Sequence, residues 1–279
     1  MRIVKGRLRM DNRKEGLKEL AGALAAAVII VAVSKFLTNT VLSGVSDALY
    51  KTFCGKAAMT VLVFAAVVIL KKMKMYKFSF KLLRAGLLSG LFYVLIGVYR
   101  MIGVEIPAVS GTRMLVFIIT MLLVGYTEEA LFRGLVQNAF HRIFGEQSWQ
   151  AVWAACICTG ILFGAAHLSN IFEPDISVSA AVVQALANVF VGVYFCAMYY
   201  RTGKCLWYVV IIHAFNDFGA FLKTGFLAGG SVGASISSTA IPLDGLLRAV
   251  PLLALMYLLP ALIVLRPKKL QPLLGKVVI

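Results

Sequence analysis

GYTEEALFRG, residues 125–134, is a charged segment inside the longest apolar run of this chain, and the other helices are arranged around it. It carries Glu128, Glu129 and Arg133 between apolar flanks. An ionisable group at membrane depth costs roughly 2.5–3.5 kcal/mol on insertion scales, so such a group indicates a functional site. Glu129 and Arg133 are four residues apart and can pair on one helical face, which leaves Glu128 without a partner.

The composition of the chain is that of a membrane protein. Its 279 residues are 61% hydrophobic and 14% charged, and the mean hydropathy is +0.89. A soluble domain of this length has about half its residues apolar and about a quarter charged. Several apolar runs approach the ~20 residues that a helix needs to cross a bilayer. We therefore predict an all-α, polytopic membrane helix bundle.

The apolar runs predict about eight transmembrane helices in a single integral-membrane domain over residues 1–279. A basic segment, residues 1–19, precedes them, and polar or glycine-containing connections separate them. The fourth is the longest and carries the two glutamates. The predicted spans are Leu20–Leu37, Ala57–Leu70, Leu82–Val104, Met114–Phe144, Ala151–His167, Val178–Tyr200, Cys205–Leu222 and Leu246–Leu265.

The net charge of +16 comes mostly from basic clusters between the apolar runs. The N-terminus, the second connection, the RTGK turn at residues 201–204 and the C-terminus are all basic, which puts both termini in the cytoplasm. We expect a multi-pass protein of the cell membrane with the lipid bilayer as its surroundings. Nucleic acid is not an expected partner because no DNA- or RNA-binding module is present. The sequence indicates no oligomeric state.

Two further helices carry polar groups that are costly in lipid. The fifth ends in FGAAH, where Phe163 and His167 share a face, so that the ring can orient the imidazole. The seventh contains HAFND, in which His213 shares a face with Asn216 and Asp217, and a carboxylate there can fix its tautomer. Unpaired polar groups are unfavourable in a membrane, so we expect these groups to meet Glu128 around a shared wet cavity.

This set of side chains is suited to water-mediated peptide hydrolysis. A glutamate can take a proton from water and return it to a leaving amine. Histidines, with an asparagine or aspartate, can stabilise an oxyanion or bind a metal that does so. The sequence has no HExxH, and it has no GxSxG elbow between a strand and a helix. We favour Glu128 and water without a required cofactor, and a zinc site at Glu128, His167 and His213 stays open but is not favoured.

Two other functional classes are compatible with the same residues. In a transporter or channel, Glu128, His167 and His213 would form a proton or cation path. A non-catalytic membrane partner or immunity protein would use the fold without turnover. Changing Glu128 to glutamine would abolish a protease and leave the non-catalytic protein working.

The three segments at residues 128–133, 163–167 and 213–217 resemble the motifs EExxxR, FxxxH and HxxxN/D. These motifs belong to the CAAX protease and bacteriocin-processing (CPBP, or Abi) family of intramembrane glutamic endopeptidases, which is related to the CAAX prenyl endopeptidases. The resemblance covers about Tyr126 to Phe218, within a predicted catalytic core at about residues 114–222. It implies an enzyme that cleaves a peptide or protein substrate, which can be anchored in the membrane.

Carried over to this sequence, the resemblance assigns roles to individual residues. Glu128 would be the water-activating base, and Glu129 and Arg133 its structural partners. His167 and His213 would be the site histidines, with Phe163 as the first residue of its motif. Asp217 takes the place that asparagine usually holds in the family. An ionised carboxylate cannot donate a hydrogen bond to an oxyanion, so either Asp217 or the neighbouring Asn216 is the candidate for that role.

Overall fold

The computed structural model describes residues 2–78, 80–172, 176–231, 233 and 243–274. The protein is 84% helical, and no strand occurs in those ranges, which confirms the predicted fold class. Every predicted apolar run is covered by a long helix. In chain order the helices are α1 (Arg2–Phe36), α2 (Ala48–Ile69), α3 (Leu83–Met101), α4 (Gly111–Glu129), α5 (Asn138–Phe144), α6 (Trp149–His167), α7 (Val178–Arg201), α8 (Leu206–Lys223), α9 (Leu243–Val264) and α10 (Pro267–Leu270).

Within the described residues, six helical stretches are long and apolar enough to cross a membrane. A seventh is counted if Val250–Val264 and Pro267–Leu273, which are bent by 48°, form one span. Helix α8 is 18 residues long and is not among them, because the polar residues between His213 and Asp217 lower its hydropathy. The protein is thus a multi-pass membrane protein, and the count of eight spans and the cytoplasmic termini stay predictions.

Two helices begin earlier than the sequence predicts. Helix α1 begins at Arg2, so residues 2–19 of the basic segment are helical too. Helix α2 begins at Ala48 rather than Ala57, because the Asp47 carboxylate caps it and accepts the Leu49 N–H at 2.9 Å. Residues 173–175, between α6 and α7, and residues 232 and 234–242, between α8 and α9, lie outside the described residues.

The long fourth helix is not a continuous α-helix as predicted. Residues Ala130–Gln137, directly after the two glutamates, form a π-helical segment between α4 and α5. A π-helical turn leaves backbone carbonyl groups without their usual partners. The Asn138 side chain supplies donors, since its Nδ2 donates to the carbonyl oxygens of Arg133 at 3.3 Å and Gly134 at 2.8 Å. This segment therefore stays satisfied while it presents Arg133 to the bundle interior.

Small residues let α6 and α7 approach each other closely. A side-chain carbon at Gly164 would lie 2.5 Å from the Ala185 carbonyl oxygen, and one at Gly160 would lie 2.7 Å from the Val189 carbonyl oxygen. Such small residues permit close packing of helix backbones in membranes, where burial of apolar surface provides little driving force. The contact fixes the end of α6, which carries the FGAAH motif.

Replacing Gly164 with valine should destabilise the protein, because the new side chain overlaps the α7 backbone. We expect a loss of about 1–3 kcal/mol or more, measured as a lower thermal unfolding temperature in detergent. Gly111→Ala is the control, since a Cβ there meets nothing within 4 Å. Equal unfolding temperatures for Gly164→Val and wild type would contradict the close packing.

The cap at Asp47 also forms an ion pair with the start of α4. Arg113 Nη1 lies 2.6 Å from Asp47 Oδ2. The hydrogen bond from Arg113 holds the pKa of Asp47 below its ordinary value, although burial acts in the opposite direction. A carboxyl group whose pKa is lower in the folded state stabilises the fold above its unfolded pKa, and loses this effect as the pH falls through the folded pKa.

We expect Asp47→Ala to lower stability by about 1 kcal/mol, since it removes the helix cap. Asp47→Asn keeps an effective cap and loses the charge, so it should cost less. The difference in unfolding temperature between wild type and Asp47→Asn should shrink below a pH of about 4, as the wild-type carboxyl takes up its proton. A difference that is constant from pH 7 to pH 3 would contradict the role of the ion pair.

Candidate active site

The centre of the candidate site is a buried ion pair between Glu129 and Arg133, both of which have 0% exposure. Arg133 Nη1 donates to Glu129 Oε1 at 3.1 Å, and Nε lies 3.1 Å from Oε2. The second terminal nitrogen of Arg133 donates to the Gly192 carbonyl oxygen of α7 at 3.3 Å. The structure thus contains the pairing predicted from the spacing of the two residues.

Two aromatic rings enclose the guanidinium of Arg133. Its central carbon lies 4.3 Å from the centre of the Phe163 ring and 5.3 Å from that of Phe195. Such cation–π contacts stabilise a cation that has lost its water. The Phe163 ring also lies edge-on to the His167 ring, with 4.8 Å between centroids. Phe163 therefore contacts both the first and the second motif.

His213 connects α8 to both glutamates. Its Nδ1 lies 2.7 Å from Glu129 Oε1, and because a carboxylate only accepts, Nδ1 carries the hydrogen. Its Nε2 lies 3.3 Å from Asp217 Oδ2 and 3.9 Å from Glu128 Oε2. Two unprotonated acceptors at 3.3 Å would repel, so a proton lies between Nε2 and Asp217. Carboxylates thus hold the imidazole on both sides.

His167 has one ring nitrogen engaged by its own helix. Its Nδ1 lies 2.8 Å from the Phe163 carbonyl oxygen, which can only accept, so Nδ1 donates. In neutral His167 this leaves Nε2 as an acceptor. His167 interacts electrostatically with Glu128, as does His213. The side chains that the three motifs contribute therefore lie together around Glu128.

Glu128 differs from Glu129 in its surroundings. Its side chain is 22% exposed, and its Oε1 lies 3.6 Å from the ammonium of Lys56 on α2. Lys56 was not predicted as a site residue, because in the sequence it belongs to the polar connection before the second apolar run. The available signal was an isolated lysine next to an apolar run, because cations at membrane depth are costly unless they have a partner.

Asn216 does not face this cluster. Its Oδ1 accepts a hydrogen bond from Arg100 Nη1 at 2.5 Å, and its Nδ2 donates to the Tyr93 carbonyl oxygen at 3.2 Å, so both ends of the amide contact α3. Of the two candidates for the oxyanion role, Asp217 is the one beside His213. Arg100, an isolated cation near the end of an apolar helix, was likewise not predicted as a residue beside the site.

The arrangement does not fit a three-ligand metal centre. Across the described part of the chain, no group of three or more His, Cys, Asp and Glu side chains is placed to hold a metal ion. Both nitrogens of His213 already face carboxylates. A zinc site at Glu128, His167 and His213 would therefore need these side chains to rearrange.

Fold and site together define a class of protein: a multi-pass helical membrane protein in which acidic and imidazole groups from α4, α6 and α8 surround one partly exposed glutamate. Comparison with known protein families matches residues 110–219 to the family described as type II CAAX prenyl endopeptidase Rce1-like. The matched residues contain all three motifs and confirm the resemblance to the CAAX protease (CPBP) family. This family implies a protease, a hydrolase that acts on peptide bonds. No curated protein matches the chain.

Removing Arg133 should unfold the site, because it leaves the Glu129 charge buried without a partner. We expect Arg133→Met to cost about 3–5 kcal/mol, seen as a large fall in unfolding temperature. Arg142→Met is the matched control, since Arg142 pairs with Glu19 at the surface and is 40% exposed. An exposed pair contributes about 1 kcal/mol or less. Similar losses for the two variants would contradict a central role for the buried pair.

Proposed function

We propose that this protein is an intramembrane endopeptidase of the cell membrane, in which Glu128 activates the water that hydrolyses a peptide bond. The family match supports protease activity. The observation that carries the mechanism is the convergence of the three motifs near Glu128, with His213 Nε2 3.9 Å from its carboxylate and His167 near enough to interact with it electrostatically. Glu128 is also partly exposed, whereas Glu129 is fully buried in its ion pair.

The nucleophilic water is held between Glu128 and His167. Each group offers an acceptor: a carboxylate oxygen of Glu128, and Nε2 of His167, whose Nδ1 is engaged by the Phe163 carbonyl. A water that donates its two hydrogens to them presents its lone pairs to the substrate carbonyl carbon. Glu128 accepts the proton as the water attacks, and returns it to the leaving amine when the C–N bond breaks.

The remaining motif residues position this pair. Arg133 holds Glu129, and Glu129 accepts from His213 Nδ1, so the rotation of α4 is fixed relative to α8. His213 in turn shares a proton with Asp217 and lies against Glu128. Such contacts keep a catalytic group within the small tolerance that general acid–base chemistry requires.

The substrate is a peptide or protein that reaches the site from the membrane. Most of the Glu128 surroundings lie within candidate spans, so the scissile bond has to enter the helix bundle. The matching family is described by its action on prenylated CAAX sequences. A CAAX peptide with a prenylated cysteine is therefore the first probe, and the same peptide without the lipid tests whether a membrane anchor is needed.

We expect the purified wild-type protein to cleave a fluorescence-quenched CAAX peptide in detergent micelles, and Glu128→Gln to lose about 10²–10⁴-fold in kcat. His167→Ala and His213→Ala should lose activity as well, and unfolding temperatures report whether each variant is folded. Glu105→Gln, an exposed acid between α3 and α4, is the control and should keep full activity. Cleavage of neither peptide by wild type, or wild-type rates with Glu128→Gln, would overturn the proposal.

A further inference from the structure

A tetrahedral intermediate of peptide hydrolysis carries a negative oxygen that needs a hydrogen-bond donor. One such donor is commonly worth about 10²–10³ in kcat. The need for this hydrogen-bond donor rests on the proposed function. The donor has to be a side chain near Glu128 whose N–H or O–H is not already engaged.

The histidines and Asp217 have no free donor. His213 Nδ1 donates to Glu129, and the proton on its other side lies toward Asp217, 3.3 Å away. His167 Nδ1 donates to the Phe163 carbonyl oxygen, which leaves only an acceptor on the neutral ring. Asp217 accepts from His213 when ionised. None of these groups can stabilise an oxyanion without giving up a contact.

The two other nitrogen-rich side chains of the motifs also face elsewhere. Asn216 binds Arg100 and the Tyr93 carbonyl oxygen on the α3 side. Arg133 is fully buried and engaged by Glu129 and α7. An oxyanion next to Glu128 is therefore out of reach of both.

Lys56 supplies the N–H donors that these groups lack. Its ammonium lies 3.6 Å from Glu128 Oε1, and its side chain is 23% exposed. An ammonium has three N–H donors and no acceptor. At 3.6 Å the pair is an ion contact longer than a normal N–H···O hydrogen bond, so Glu128 does not hold the donors in fixed positions. Lys56 lies about 12 Å along α2 from its start at Ala48, where a cation requires such a partner.

The distances are compatible with a role in the reaction. A water hydrogen-bonded to Glu128 lies about 2.7 Å from its carboxylate, and the carbonyl it attacks is adjacent to that water. A donor 3.6 Å from the same carboxylate is thus within reach of the carbonyl oxygen. The charge is favourable too, because the ammonium is already present before the oxyanion forms and needs no reorganisation.

We infer that Lys56 is a catalytic residue of this protein, whose ammonium donates to the carbonyl oxygen of the scissile bond as that oxygen becomes negative. The water oxygen bonds to the carbonyl carbon, the π electrons move to the carbonyl oxygen, and the water proton goes to Glu128. When the intermediate collapses, the C–N bond breaks and Glu128 gives this proton to the amine. Lys56 stays protonated throughout.

The test compares Lys56→Met with Lys51→Met by measuring kcat and KM for the quenched CAAX peptide from pH 5 to pH 9. Lys51 is on the same helix, about 140° around its axis from Lys56, and its variant should behave as wild type. We expect Lys56→Met to lose about 10²–10³-fold in kcat at every pH, with KM changed little. Lys56→Arg keeps the charge and the N–H groups, so its kcat should fall less. The unfolding temperature of each variant reports whether it is folded.

A lysine that merely balances the charge of Glu128 predicts a different result. In that case Lys56→Met would shift the acidic limb of the pH profile and regain the full kcat at higher pH, which would overturn the inference. Full kcat at every pH would overturn it as well. If Glu128→Gln is inactive in the same assay, either result leaves the proposed function standing.

A second variant tests the missing donor directly. Asp217→Asn keeps an oxygen that accepts from His213 and adds an amide with two N–H donors next to the site. Introduced into Lys56→Met, it should raise kcat at least tenfold, whereas in the wild-type protein it should add little. No recovery in the double variant, with the fold intact, would count against Lys56 as the replacement for an amide at position 217.

Discussion

The buried pair of Glu129 and Arg133 places the strongest constraint on this fold. The attraction between two buried ions offsets their desolvation penalty only when further groups form hydrogen bonds or contacts with them. These partners come from three other helices: His213 of α8 on the carboxylate, and the Gly192 carbonyl of α7 and the Phe163 ring of α6 on the guanidinium. The packing of α6, α7 and α8 against the fourth helix is therefore required by the electrostatics of one ion pair as well as by apolar contact.

That constraint also separates two adjacent residues of the same type. Neighbours on a helix point about 100° apart, so fixing Glu129 toward α7 and α8 turns Glu128 toward α2 and the exposed side of the site. Glu129 Oε1 accepts from both Arg133 and His213, and this fully buried carboxylate has no access to water. Glu128 keeps 22% of its side chain exposed and faces a histidine and a lysine at longer range. Glu128, which is not part of the ion pair, is therefore the glutamate that is available for the reaction.

The sequence predicts those features that depend on a single helix. Polar groups in apolar runs identified the three motif segments, and the i, i+4 rule paired Glu129 with Arg133, since both depend on one helix alone. The π-helical segment at Ala130–Gln137 was not predicted, because it places Arg133 against the Gly192 carbonyl of α7, and no pattern within one helix specifies that contact. The contact of Lys56 with Glu128 likewise joins residues far apart in sequence, and no pattern in either helix specifies their distance.

The charge balance explains why helices outside the family match belong to the site. Around the site, Glu128, Glu129 and Asp217 carry three negative charges against two positive ones, namely Arg133 and the proton that His213 shares with Asp217, so one negative charge remains within residues 110–219. Lys56 of α2 contacts Glu128 and offsets that charge, and Arg100 of α3 binds the neutral amide of Asn216 beside Asp217. Since net charge inside a helix bundle is costly, α2 and α3 are part of the electrostatics of the site although they lie before the matched residues. A cluster that is neutral as a whole, with one glutamate and one ammonium still partly exposed, can accept a proton and an oxyanion in the same step without building up net charge.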